Sequence, residues 1–134
     1  SIYSNNSIGA ILSSSLFYWN YIAYTDCRNL QKSFIDNFHI FNDVKKGCDV
    51  LCSFGKDLFD DYEKNKFTKS THYKTTGNDV VYDEYYPKLS KSFIDRIDEK
   101  LGSLYDFTAE EMDFIVNFDI KYRMGDELNN DSEN

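Results

Sequence analysis

Apolar residues recur at helical spacing almost from the first residue: Ile8, Ile11, Leu12, Leu16, Trp19, Ile22 and Ala23. Residues three and four apart share one face of a helix, so this stripe predicts a helix from Ser7 to about Tyr24. Phe17, Tyr18 and Tyr21 fall off the stripe, and a second aromatic face implies burial on most sides. Thr25-Asp26-Cys27-Arg28-Asn29 then breaks the pattern. Leu30 to Phe41 reads as an extended or irregular connector, with Ile35, Phe38 and Ile40 pointing inward. Asn42 or Asp43 is placed to cap a second helix, whose stripe is Val44, Cys48, Leu51, Cys52, Leu58, Phe59 and Tyr62. That helix is expected to run to about Lys66, with Gly47 and Gly55 as weak points because helical glycine costs backbone entropy.

Between Lys69 and Tyr86 the pattern changes to Thr, Tyr and Val around a turn signal, Thr76-Gly77-Asn78-Asp79. It predicts a β-hairpin with strands THYKT and VVYDEYY, ended by Pro87. Ile94, Ile97, Leu101 and Leu104 mark a third helix. A last helix opens on a capping box, Thr108 with Glu111, and a hydrophobic staple, Phe107 with Met112. Met112, Ile115, Val116 and Ile120 continue its stripe, and Gly125 fits its C-terminal stop. The expected fold is helix-rich α+β, about four helices with a small β-hairpin. Residues 1–125 form one domain, and the acidic tail 126–134 is expected to be disordered.

Composition adds limits. The length of 134 residues suits a single domain able to bury a core without disulfides. Three cysteines, Cys27, Cys48 and Cys52, are an odd number, which argues for a reducing, cytoplasmic setting. No apolar run approaches the roughly 18 residues of a membrane span. The chain starts Ser1-Ile2-Tyr3 without methionine and enters its helical pattern almost at once, so a fragment of a longer protein is expected.

The formal net charge of -8 disfavours a polyanion partner. Distribution changes that picture: the tail acids Asp126, Glu127, Asp131 and Glu133 supply half of it, while Lys64, Lys66, Lys69 and Lys74 fall in a stretch without acids. Lys121 and Arg123 lie in the expected last turn of the last helix, where cations complement the helix dipole. Asp106, Glu110, Glu111 and Asp113 lie near its first turn, so the cluster reads as helix punctuation.

Several residue groups invite a chemical reading, and each has a plainer one. Cys48 and Cys52, with His39 or His72, would need a tetrahedral ligand set to hold zinc. Two buried cysteines on an amphipathic stripe is the better reading. Asp98-Glu99-Lys100, with Asp95, matches the acid-x-Lys element of many metal-dependent nucleases, but solvated helix surface explains it better. Cys27, between Asp26 and Arg28, has no histidine near it in sequence to act as base. No glycine-rich nucleotide loop and no G-x-S-x-G occur, so the chain assembles no catalytic site on its own. The stretch from Lys64 to Lys74 interleaves lysines with Phe67, Thr68, Ser70, Thr71, His72 and Tyr73, and Thr75, Thr76 and Asn78 continue the polar set. These types touch phosphates and base edges, and a two-stranded ribbon fits a major groove. The plain alternative is an ordinary solvated hairpin.

The segment SSSLFYWNYIAYTDCRNLQKSFIDNF resembles the aromatic helix and following loop in the C-terminal specificity region of TaqI-like adenine-N6 DNA methyltransferases, including type IIG restriction–modification enzymes. A second block, YYPKLSKSFIDRIDEKLGSLYDFTAEEMDFIVNFDIKYRMG, is similar to the ending of many such proteins. Phe118 stands where tyrosine is usual, and Leu104-Tyr105-Asp106 where His-Tyr-Gly is common. The resemblance covers both ends of the chain, from about Ile8 to Gly125, with a divergent middle. It implies a non-catalytic target-recognition segment that grips double-stranded DNA. An upstream domain of the same chain would hold S-adenosylmethionine and an Asn-Pro-Pro-Tyr-type loop for a flipped adenine. With Pro87 the single proline, that loop is not in this sequence, and no cofactor is expected in this segment itself. The parent enzyme could also cleave DNA.

On side-chain type alone, the candidate DNA contacts are Arg28, Asn29, Gln31 and Lys32 in one loop and Lys69, Thr71, His72, Lys74, Thr76 and Asn78 in the hairpin. A segment that packs on a basic catalytic domain need not be basic itself, so weak DNA binding in isolation is expected. The alternative is a structural or protein-interaction module at the same enzyme's C-terminus without DNA contact. A third reading, nuclease activity in this chain, would rest on Asp98 and Lys100.

Overall fold

Ser14 divides the first predicted helix in two. The structure is a computed structural model that describes residues 4–38, 47–74 and 77–124. In it, α1 (Asn5–Ser13) and α2 (Ser15–Tyr24) flank an extended Ser14 at φ -73° and ψ 154°. The Ser14 hydroxyl accepts from the Phe17 N–H at 3.1 Å and donates to the Ile11 carbonyl at 2.6 Å. One side chain thus closes α1 and opens α2. Apolar periodicity runs straight through this joint, which is why the sequence pattern suggested one helix. Nor is α2 buried on most sides: Ser15, Leu16 and Phe17 are buried, while Tyr24 is 71% exposed. Because Ser14 is itself buried, Ser14→Ala leaves an N–H that water cannot reach. It is expected to lower stability by about 1–2 kcal/mol, read as a lower urea midpoint at unchanged slope.

The expected irregular connector contains a short helix, α3 (Lys32–Asn37). Phe34 and Phe38 turn onto the buried Phe17 ring, with centroids at 5.7 and 5.1 Å, and these aromatic contacts outweigh the segment's weak local signal. Ile40 and the proposed caps Asn42 and Asp43 lie outside the described residues. Next comes α4 (Cys48–Asn65), whose buried residues are Leu51, Gly55 and Leu58. Strands β1 (Phe67–Tyr73) and β2 (Asn78–Glu84) pair antiparallel, from Phe67 opposite Glu84 to Tyr73 opposite Asn78. The first strand therefore begins at Phe67 rather than Thr71.

A 3-10 turn at Pro87–Ser90 leads into α5 (Lys91–Leu104). The Thr108–Glu111 capping box is formed: the Thr108 N–H donates to Glu111 at 2.9 Å, and the Glu111 N–H to the Thr108 hydroxyl at 3.2 Å. The helix it opens, α6 (Ala109–Asn117), stops before the expected end. Asp119 adopts a left-handed φ of 51°, and the chain restarts as α7 (Ile120–Met124). Left-handed backbone at a non-glycine residue is uncommon, and aspartate is among the types that tolerate it. Gly125 and the acidic tail lie outside the described residues.

The helix-rich α+β class stands, with seven α-helices among the described residues because two of the four expected helices are each broken and α3 is added. Ala10 and Ile11 of α1, Leu51 and Leu58 of α4, Ile94, Ile97 and Leu101 of α5, and Met124 of α7 form one buried core. Among the described residues no helix is long and apolar enough to cross a membrane. The hairpin lies outside this core, exposed along β1 and along β2 up to its half-buried Glu84.

Candidate nucleic-acid interface

Alternation along paired strands assigns each hairpin side chain to a face. Phe67, Lys69, Thr71 and Tyr73 share one face with Asn78, Val80, Tyr82 and Glu84. Thr68, Ser70 and His72 share the other with Asp79, Val81 and Asp83. The structure thus brings the candidates Lys69, Thr71 and Asn78 together and puts His72 opposite them. Lys74 follows β1 at the exposed turn, and Thr76 lies outside the described residues.

The acid-free stretch of sequence does not become a basic surface. Lys66 reaches Asp83 at 2.8 Å and Glu63 at 2.9 Å, and Lys69 reaches Glu84 at 2.6 Å. His72 Nδ1 lies 2.7 Å from Asp79. Thr68 donates to the second oxygen of Asp83 at 2.7 Å. Hydrogen bonds to Asp83 and Glu84 hold Lys66 and Lys69 above the usual lysine range, and the same bonds hold those carboxyls below theirs. Cross-strand pairing supplies the acids that linear sequence hid, since Asp79, Asp83 and Glu84 arrive from β2. These pairs face solvent, where water and salt screen the attraction, so a phosphate could exchange for a carboxylate at little cost.

The other candidates lie on the loop between α2 and α3 and on the first residue of α3. Arg28, Asn29, Gln31 and Lys32 are all exposed. The loop is held locally: the Thr25 hydroxyl donates to the Tyr21 carbonyl at 2.7 Å, and the Arg28 N–H donates to Asp26 at 3.2 Å. Cys27 takes a left-handed φ of 57° between them. Asn29 and Gln31 line an open polar hollow of about 390 Å³ with Asp26, Ser33 and Asn37. Lys32 pairs with Asp36 at 2.6 Å.

Sequence reasoning missed the polar centre of the molecule. Asp98 is 2% exposed, not part of a solvated helix surface. Its carboxylate accepts from the Ser15 N–H at 2.7 Å and the Ser15 hydroxyl at 2.5 Å. Ser15 opens α2, so Asp98 places negative charge at that helix N-terminus from another element. The Ser15 hydroxyl accepts in turn from Arg123 Nη2 at 2.8 Å, and the guanidinium lies 4.9 Å from the Tyr18 ring centroid. Arg123 is therefore an inward anchor of α7 rather than helix punctuation, while Tyr122 beside it is 83% exposed.

Burial raises the Asp98 pKa to about 6, against the pull of the Ser15 hydrogen bonds and the Arg123 charge. Burial also lowers Arg123, so desolvation outweighs mutual attraction at both ends of the relay. Nη1 of Arg123 is buried with no hydrogen-bond partner among the described residues, which adds to that cost. A serine hydrogen-bonded to a carboxylate resembles an activated nucleophile. Ser15 is 1% exposed, however, so no substrate reaches it, and Asp98 is committed to Ser15 rather than presented to a metal with Lys100. The one sequence signal for this cluster was a serine run at the start of an aromatic helix.

Cys48 and Cys52 are half-buried and face serines, Ser7 at 3.5 Å and Ser4 at 3.0 Å, and all three cysteines are thiols. His39 lies outside the described residues, and among those described no cluster of His, Cys, Asp and Glu could hold a metal ion. Comparison with protein-family models, with curated proteins and with solved structures finds no match.

Proposed function

We propose that this chain is a non-catalytic target-recognition segment of an adenine-specific DNA methyltransferase of a restriction–modification system. It would position duplex DNA while a domain outside this sequence binds S-adenosylmethionine and methylates a flipped adenine in the cytoplasm. One observation supports this reading above others. Ser15, Asp98 and Arg123 come from the segments that carry the family resemblance, and they meet in one buried relay. The resemblance thus covers the scaffold and the 25–31 loop, while the divergent middle contains the exposed hairpin. A rigid scaffold that presents an exposed, divergent hairpin suits a module whose target varies.

The test is a triple change, Arg28→Ala, Lys69→Ala and Lys74→Ala, in the protein that carries the methyltransferase. Methylated sites would be read by sequencing. Recognition through these elements predicts altered site choice, or methylation at the normal sites reduced by about tenfold or more at physiological salt. The isolated chain is expected to bind duplex DNA more weakly than micromolar at that salt, because its hairpin cations are matched by carboxylates.

A second reading has its own observation. The paired hairpin charges, with Phe67 54% and Tyr73 50% exposed on one face, suit a structural or protein-contacting role. Unchanged methylation specificity with reduced stability in the triple variant would favour it.

A further inference from the structure

A pocket at the start of α6 differs in chemistry from the polar loops. Trp19 of α2, Phe107 before α6, and Phe114 and Ile115 on α6 line a cavity of about 390 Å³, and Glu110 and Glu111 complete its wall. The rings are braced from outside the cavity. Trp19 meets Tyr24 edge-on at 6.4 Å, Phe107 stacks on Tyr105 at 5.7 Å, and Phe114 meets Phe118 at 5.8 Å. Glu111 is held by its capping bond to the Thr108 N–H. Phe114 is 55% exposed, so the cavity opens to solvent.

Three aromatic rings line the cavity, and the π-face of such a ring carries negative electrostatic potential that attracts a desolvated cation. Two carboxylates add to it and exceed the roughly +0.5 charge of the helix N-terminus. Among the described residues no lysine or arginine lines the cavity to answer them. An anion is repelled there, and a purely apolar group would leave the Glu110 carboxylate unused. The chain's net charge of -8 favours approach of a basic partner.

We propose that this pocket receives the cationic end of a lysine or arginine side chain presented by a basic partner polypeptide. The proposal stands independently of DNA recognition.

Trp19 is the single tryptophan, so its emission reports on the pocket directly. The whole chain would be titrated with tetramethylammonium, with Nα-acetyl-arginine amide and with neopentyl alcohol as a neutral isostere of the first. Both cations are expected to change Trp19 emission saturably, with the neutral isostere at least about fivefold weaker. Glu110→Gln should weaken tetramethylammonium binding about threefold or more, and Phe114→Ala should abolish saturation. Both side chains are exposed, and circular dichroism would verify that each variant is folded. A short arginine- and lysine-bearing peptide should bind more tightly than either free cation, and its alanine-substituted form should not bind. The proposal is overturned by absence of saturable change, by equal response to the neutral isostere, by indifference to Glu110→Gln, or by a basic peptide that fails to compete with the free cation.

Discussion

Asp98→Ala is expected to destabilise the protein by about 3 kcal/mol at neutral pH, seen as a fall in urea midpoint. The substitution removes both acceptors of Ser15, leaving its N–H and hydroxyl short of a partner inside the core. It also removes the counter-charge of the half-buried Arg123. Three elements, α2, α5 and α7, lose their shared polar joint together. Asp98→Asn keeps an acceptor for the Ser15 N–H and should cost clearly less. Equal stability of Asp98→Ala and the parent would mean the relay is not a structural joint.

The same carboxyl sets a pH dependence. Asp98 titrates near 6 in the folded chain, against 3.8 as the ordinary value, with burial the main cause. The folded state therefore holds this proton more tightly than the unfolded state does. Its stabilising contribution is complete below about 3.8 and is lost as pH rises through about 6. Glu63, Asp83 and Glu84, all in surface ion pairs, are shifted downward and work in the opposite direction. The informative quantity is thus the stability difference between parent and Asp98→Asn. That difference should move in favour of Asn as pH rises from 4 to 7. A difference that stays flat would show that Asp98 is not buried as described.

Gly55→Ala is expected to cost about 3 kcal/mol, with a sign opposite to helix propensity. A Cβ at Gly55 would lie 2.1 Å from the Asn6 carbonyl oxygen, 2.8 Å from its carbon and 3.2 Å from the Ala10 Cβ. The first two belong to the backbone of α1, so relief requires α1 and α4 to separate rather than a side chain to rotate. In an isolated helix the change would stabilise by about 1 kcal/mol. Thermal or urea unfolding of Gly55→Ala decides between these signs. A more stable variant would mean that the two helices do not cross this closely. Gly55 is thus the contact that lets α1 lie on α4, not the weak point that its residue type suggested.

The candidate DNA contacts were legible as residue types and not as a surface. Counting charges along the chain found lysines at 64, 66, 69 and 74 without intervening acids. Folding the strand back brought Asp83 and Glu84 onto Lys66 and Lys69. Hairpin register decides which charges meet, and linear spacing does not encode it. The aromatic pocket was equally hidden. Phe107, Glu110, Glu111 and Phe114 are neighbours in sequence, but Trp19 joins them from the other end of the chain.

Local chemistry by itself determined the α+β class, the hairpin with its turn at Gly77, the Thr108–Glu111 cap and the apolar stripes of α4 and α5. Each depends on residues within a few positions of one another, where periodicity and capping act directly. Tertiary structure alone decided the burial of Asp98, the inward turn of Arg123 and the close crossing at Gly55. The physical reason is common to all three. A polar or small residue inside a core is stabilised by a partner far away in sequence: Asp98 lies 83 residues from Ser15, and Arg123 lies 108.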